Sequence, residues 1–361
     1  MKTTKTVMLT AAAAASVFAL AACGSSGSNT SSGNSNIDCA SGSIKASGSS
    51  AQKNAITDWI NAYQEACEGA TIDYQANGSG AGIQDFINAQ TAFAGTDAAA
   101  KDKDLDAATK RCASGPAINI PMVGGAVVAA YNVEGVDKLV LTPKTLAGIF
   151  SNKITKWNDP AIAADNQGTK LPDANIVQFH RSDSSGTTAN FTDFLSQAAK
   201  ADWTYEPGKE WAAPGGQGAK GTEGVTSAVS STANSIGYVE LSFAQDQKLK
   251  TATLKTAGGE VEPTSENASK AIAEATVVGS GNNLALELKY DTAAQSAYPI
   301  VLVTYELTCE KGLPENQLGL TKSFLTYTSS NDAQKQLTEI GYVPIPDSLL
   351  TKVQDAVKAI S

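Results

Sequence analysis

From residue 43 onward the spacing of apolar positions switches repeatedly between period two and period 3.6, which predicts strands alternating with helices. Ser43 to Ala46 reads as a short strand. Ile56, Trp59, Ile60 and Tyr63 fall at i, i+3, i+4 and i+7 and mark one buried face of a helix beginning near Ser50. Ile72 to Ala76 is the next strand, and Ile83, Phe86 and Ile87 mark a helix beginning near Ser79. Ala92-Phe93 is strand-like, and the turn Ala94-Gly95-Thr96-Asp97 precedes a charged helix over Lys101 to Lys110. Further on, Asn175 to Phe179 and Ile236 to Glu240 read as strands, and Phe191, Phe194, Leu195 and Ala198 have helical spacing.

The longest apolar stretch, Ala117 to Tyr131, is interrupted by Pro121, Gly124 and Gly125, so it reads as buried strands and not as one helix. Tyr298 to Leu307, apolar and β-branched, is its expected partner. A folded body of about 320 residues is long for one hydrophobic core, so two lobes are expected. If the two apolar segments cross between them, the first lobe comprises residues 39–120 plus 303–361 and the second the insertion 121–302.

The amino terminus bears on the compartment, where a lipoprotein signal competes with an ordinary signal peptide cleaved nearby or a transmembrane anchor. Lys2 and Lys5 precede an apolar run from Val7 to Ala22 that ends in Leu20-Ala21-Ala22-Cys23, a lipobox pattern. Residues 1–22 are therefore expected to be a signal segment, with Cys23 the lipid-bearing first residue of the mature chain. Residues 23–38, nearly all Gly, Ser, Asn and Thr up to Asn36, form an expected tether that buries nothing. The body is placed at the outer face of a bacterial cytoplasmic membrane.

Four cysteines remain of the five, Cys39, Cys67, Cys112 and Cys309, in an oxidising location. Three pairings are possible. Cys39 precedes the first strand and Cys67 ends the helix leading to the second, at the same edge of a sheet, which favours Cys39–Cys67 and leaves Cys112–Cys309. That second pair agrees with two strands crossing in opposite directions. The formal net charge of -9 argues against nucleic acid and requires any bound anion to be held by local donors.

Candidate chemistry concentrates in Asn175 to Thr188, where a strand runs through His180-Arg181-Ser182-Asp183-Ser184-Ser185-Gly186-Thr187-Thr188 into a helix. Free helix-start N–H groups, hydroxyls and one guanidinium then face one point, which suits an oxyanion. The competing reading is plain capping, with Asp183 or Ser185 satisfying the helix start and Arg181 paired to a surface carboxylate. The same strand, hydroxyl turn and helix recur at Ser47-Gly48-Ser49-Ser50 and Asn77-Gly78-Ser79-Gly80, with Asp97 on a further turn. Such turns converge at the carboxyl ends of strands, where α/β sheets bind ligands.

Six ordered blocks, Ser47 to Trp59, Tyr74 to Gly82, Phe93 to Asp97, Ile149 to Trp157, Arg181 to Thr187 and Ile236 to Glu240, together resemble the phosphate-binding protein of the bacterial phosphate-specific ABC importer. The resemblance implies an α/β, two-lobed, periplasmic-binding-protein-like (type II) fold. Each lobe would be a mixed sheet flanked by helices, with two crossing strands between them and inorganic phosphate held in the cleft. It implies no cofactor, no metal and no catalysis, and permease subunits as partners. Carried over position by position, it implies phosphate donors at Ser50, the backbone of Ala51, Ser79, Arg181, Ser185, Gly186 and Thr187. Asp97 would accept a proton from the ligand, and Asp183 would orient Arg181. Ser50-Ala51 replaces a bulkier Thr-Phe pair, His180 stands where Arg is common, and Thr222 where Asn is common.

Three other readings compete. His180, Asp183, Ser184 and Ser185 are the residue types of a hydrolase, but there is no Gly-x-Ser-x-Gly elbow. A binding protein for sulfate, molybdate, tungstate or arsenate would share the design, as would a phosphate sensor or scavenger without a permease. Asp97 discriminates among anions, because a fully ionised one offers a carboxylate no hydrogen.

Overall fold

The computed structural model describes residues 37–292 and 294–361. The expected signal segment, Cys23 and the tether up to Asn36 lie outside these residues. No described helix is long and apolar enough to cross a membrane.

The chain opens with β1 (Gly42–Gly48), α1 (Lys53–Ala66), β2 (Ala70–Gln75), α2 (Ser79–Ile87), β3 (Phe93–Thr96) and α3 (Asp102–Arg111). β1 pairs in parallel with β2 and with β3. The face of α1 read from the sequence is the buried one, with Ile56, Trp59, Ile60 and Tyr63 packed into the core. The helix begins three residues later than expected, because Ser50 to Gln52 form a turn. There the Ser49 hydroxyl accepts from the N–H groups of Ala51 and Gln52, at 3.1 and 3.3 Å.

β4 (Ala117–Asn132) is one strand of 16 residues, where a set of shorter strands was expected. Its second half pairs antiparallel with the later strand over Ser235–Glu240, and its first half with the strand over Val301–Cys309. Pro121 is accommodated by a bulge: Thr304 faces Val123 while Tyr305 faces Pro121, so Met122 has no opposite number. Gly124 is required by close packing, since a Cβ there would lie 2.5 Å from Ile272 Cδ1.

The second lobe adds β5 (Val177–Arg181), α4 (Gly186–Ala198), β6 (Gln217–Ala219), α5 (Gly221–Ser231), β7 (Ser235–Glu240) and β8 (Lys250–Thr251), and β9 (Val301–Cys309) returns to the first. Among the described residues the main sheet has nine strands in the order β2-β1-β3-β9-β4-β7-β5-β6, with β8 beside β4. Each flank is a parallel trio and the centre is an antiparallel pair. The hairpin over residues 276–287, expected within the second lobe, folds back onto the first-lobe end of β4. There Asn283 Oδ1 accepts from the Asn119 backbone N–H at 3.0 Å.

Both disulfides pair as read from the order of elements. Cys39–Cys67 has a Cα separation of 5.2 Å and Cys112–Cys309 one of 5.6 Å. The second joins the start of β4 to the end of β9, whose Cys309 stands opposite Ala117.

Candidate functional site

Four helix-start turns and the turn after β3 meet between the lobes. From the first lobe come Ser49-Ser50 after β1, Ser79 at the start of α2 and Asp97 after β3. Arg181 at the end of β5, Ser185 to Thr187 at the start of α4 and Thr222 at the start of α5 come from the second. Ser50, Ala51, Ser79, Asp97, Arg181, Ser185, Thr187 and Thr222 are all buried.

Asp97 is the hub. Its Oδ1 accepts from the Ser49 hydroxyl and, at 2.8 Å, from Thr304 on β9. Oδ2 has only long contacts, with Thr187 Oγ1 at 3.3 Å and Ser79 Oγ at 3.4 Å. One oxygen is thus saturated and the other retains accepting capacity on the side of Ser79 and Thr187. Burial pushes the Asp97 carboxyl up, offset in part by the Ser49 and Thr304 hydroxyls, the Arg181 charge and Thr187.

Arg181 is gripped from one side. Its Nε and Nη2 donate to the two oxygens of Asp183 at 2.8 and 2.5 Å, and the Gly221 N–H donates to Asp183 at 2.9 Å. Burial alone would raise the Asp183 carboxyl, but the Arg181 hydrogen bonds and charge, with Gly221, hold it below its usual value. This fork fixes the guanidinium plane and leaves Nη1 directed into the cleft, 3.5 Å from Thr187 Oγ1 and 3.4 Å from Thr222 Oγ1.

Not every expected donor is free. The Ala51 N–H is engaged by Ser49 Oγ. Ser185 caps α4, its Oγ accepting from the Thr188 N–H at 3.1 Å while its own N–H donates to Lys209 O at 2.9 Å. Only its hydroxyl hydrogen remains. At Gly186 the glycine is obligatory, because a Cβ would sit 2.6 Å from Asp97 Cβ and 2.7 Å from Ser79 Oγ. Sequence reasoning missed Ser49 and Thr304 as partners of Asp97. It noted Thr222 only as a replacement, whereas Thr222 N–H donates to Ser50 Oγ across the cleft at 3.0 Å.

The lobes are joined across this site. Gly80 N–H donates to Ser184 O at 3.0 Å, and Asn54 Nδ2 donates to Ser242 Oγ at 3.0 Å and Asp246 Oδ2 at 2.9 Å. Ion pairs bridge Lys53 to Glu223 at 2.6 Å and Lys209 to Asp104 at 3.3 Å.

Residues 26–332 match the model of a PBP superfamily domain. Over 359 residues, 96% of each chain, the sequence is 41% identical to the phosphate-binding protein PstS 3 of Mycobacterium tuberculosis. The chain belongs to the phosphate-binding protein family. That family's fold is shared with a solved high-affinity periplasmic phosphate-binding protein, PfluDING, bound with phosphate. The TM-score is 0.72 at 22% identity, covering 87% of this chain and 93% of that one. It is also shared with an ABC-type phosphate transport receptor from Vibrio cholerae, at TM-score 0.54 and 18% identity over 83% and 99% of the two chains. The two-lobed α/β architecture implied by the six sequence blocks is therefore that of the family.

Proposed function

We propose that this member of the phosphate-binding protein family binds one inorganic phosphate between its lobes and delivers it to a phosphate ABC importer. The observation that carries the reading is that Arg181 Nη1 and the lightly engaged Oδ2 of Asp97 both face one buried cleft. A carboxylate in an anion site is unfavourable unless the anion brings a hydrogen. Phosphate near neutral pH brings at least one and sulfate none, so Asp97 Oδ2 accepts from the former and repels the latter. Sites built to pair a substrate hydroxyl reject analogues lacking it by about 10⁴ to 10⁵.

Ser50, Ser79, Ser185, Gly186, Thr187 and Arg181 supply donors from both lobes, with Ala51 contributing only once Ser49 releases its N–H. Because donors come from both sides, the ligand favours the closed arrangement by its differential affinity. We take the lobes as 39–120 plus 303–361 and 121–302, with the hairpin over residues 276–287 reaching back onto the first, hinged where β4 and β9 cross between them. The permease reads the closed shape, and Cys23 carries the lipid that keeps the protein at the membrane.

We assign the site no catalysis. The His180 ring stacks on Trp211 at 4.9 Å with Nδ1 against Arg181 O, Ser185 is a helix cap and Asp183 is held by Arg181. The three are separately engaged and make no triad.

Asp97→Asn tests the reading. An amide offers an N–H to a deprotonated oxyanion, so the phosphate-to-sulfate affinity ratio should fall by at least about 100-fold in calorimetric titration. Sulfate excluded as strictly as before would refute the role of Asp97.

A further inference from the structure

Asn190 lies on α4, one turn beyond Gly186, and is buried at 6% exposure. Its Nδ2 donates to two carbonyls, Asp97 O of the first lobe at 2.7 Å and Gly186 O of its own helix at 2.8 Å. Its Oδ1 accepts from the Tyr290 hydroxyl. Two acceptors on one side leave the amide a single sensible orientation, since the reverse would set Oδ1 against both carbonyls. Tyr290, itself buried, is then the donor that holds that orientation.

The two carbonyls belong to residues that stand close across the cleft, since a Cβ at Gly186 would lie 2.6 Å from Asp97 Cβ. One carboxamide therefore ties the backbone of the proposed proton acceptor to the backbone of the second-lobe turn. Behind it lies a groove of about 680 Å³ whose walls include Tyr290, Leu286, Tyr305 and Asp193. Asn190 stands where that groove meets Asp97.

We propose that Asn190, oriented by Tyr290, is a positioning residue whose bond to Asp97 O forms on closure and sets how long phosphate stays bound. The proposal rests on the phosphate reading above. It concerns release, because the bond to Asp97 O is made between lobes and is absent while they are apart. Loss of one buried bond of this kind corresponds to roughly a tenfold change in a rate or equilibrium constant. The Asp97 carboxylate keeps its own partners, so selectivity is untouched.

The test is stopped-flow measurement of phosphate binding and release on the full mature chain and on Asn190→Ala, Tyr290→Phe and the double variant. Asn190→Leu serves as a second probe that preserves packing volume. Asn190→Ala and Asn190→Leu should release phosphate about tenfold faster, with association changed less than about twofold and sulfate still rejected. Tyr290→Phe should move release in the same direction by a smaller factor. The double variant should match Asn190→Ala, because Tyr290 acts only through Asn190. Wild-type release rates in both Asn190 variants, or additive effects in the double variant, would overturn the proposal while leaving the phosphate reading intact. A wild-type protein that takes up no phosphate would overturn both.

Discussion

The role proposed for Asp97 depends on its two oxygens having different surroundings. Ser49 and Thr304 occupy Oδ1, so the carboxylate cannot rotate to present a saturated edge to the ligand. Arg181 is similarly restricted, with its two bonds to Asp183, itself held by the Gly221 N–H, fixing the direction of Nη1. Arg181→Lys keeps the charge and loses the fork, so phosphate affinity should fall by about 10- to 100-fold, measured by titration. An unchanged affinity would mean that charge alone, without the bidentate grip, holds the anion. At this scale the sequence was informative about residue types and less so about their bonds. Arg181, Asp183 and Ser79 stand in recognisable turns. Thr304, one hydroxyl in an apolar strand, reaches Asp97 because β9 pairs with β3 in a register that sets Tyr305 opposite Thr96 and so Thr304 level with Asp97. Asn190 reads as an ordinary helical polar residue until the facing lobe is known.

The element that unites the site and the fold is the crossing pair, β4 and β9. Glu306 on β9 is 1% exposed, with neither carboxyl oxygen in a well-formed hydrogen bond. Burial pushes it up to about 8, the Gln52 amide opposing the shift and the Asp97 charge adding to it. Its folded value thus lies above its unfolded value of about 4.3, so folding takes up a proton. The associated stability is complete below that lower value and is lost as pH rises towards about 8. Glu306→Gln should therefore lose less stability than wild type between pH 5 and pH 8 in urea unfolding. Equal losses would contradict a neutral Glu306. The same pair is stapled by Cys112–Cys309, two cysteines 197 positions apart in sequence. Replacing both with Ser should cost about 2–5 kcal/mol, read from the urea midpoint, and no loss would show that the staple is dispensable. The pairing was legible because Cys39–Cys67, placed by element order, left Cys112–Cys309, which agreed with two strands crossing in opposite directions. The unbroken course of β4 was not, since Pro121, Gly124 and Gly125 interrupt its pattern and only the bulge and the packing of Ile272 and Val343 on Gly124 reconcile them with one strand.

For the whole molecule, closure is distributed over bonds of unequal weight. The Lys53–Glu223 pair is well exposed and adds little, whereas the buried contacts of Ser50 with Thr222 and Asn190 with Asp97, and the half-buried one of Gly80 with Ser184, converge on the proposed anion site. The negative net charge supplies no general attraction for an anion, so affinity and selectivity both have to come from this cleft. The most direct test is calorimetric titration of the mature protein, freed of bound anion, with phosphate and then sulfate at neutral pH. Tight uptake of one phosphate per chain with no heat from sulfate is the predicted result; sulfate binding comparable to phosphate, or no phosphate binding, would contradict the account.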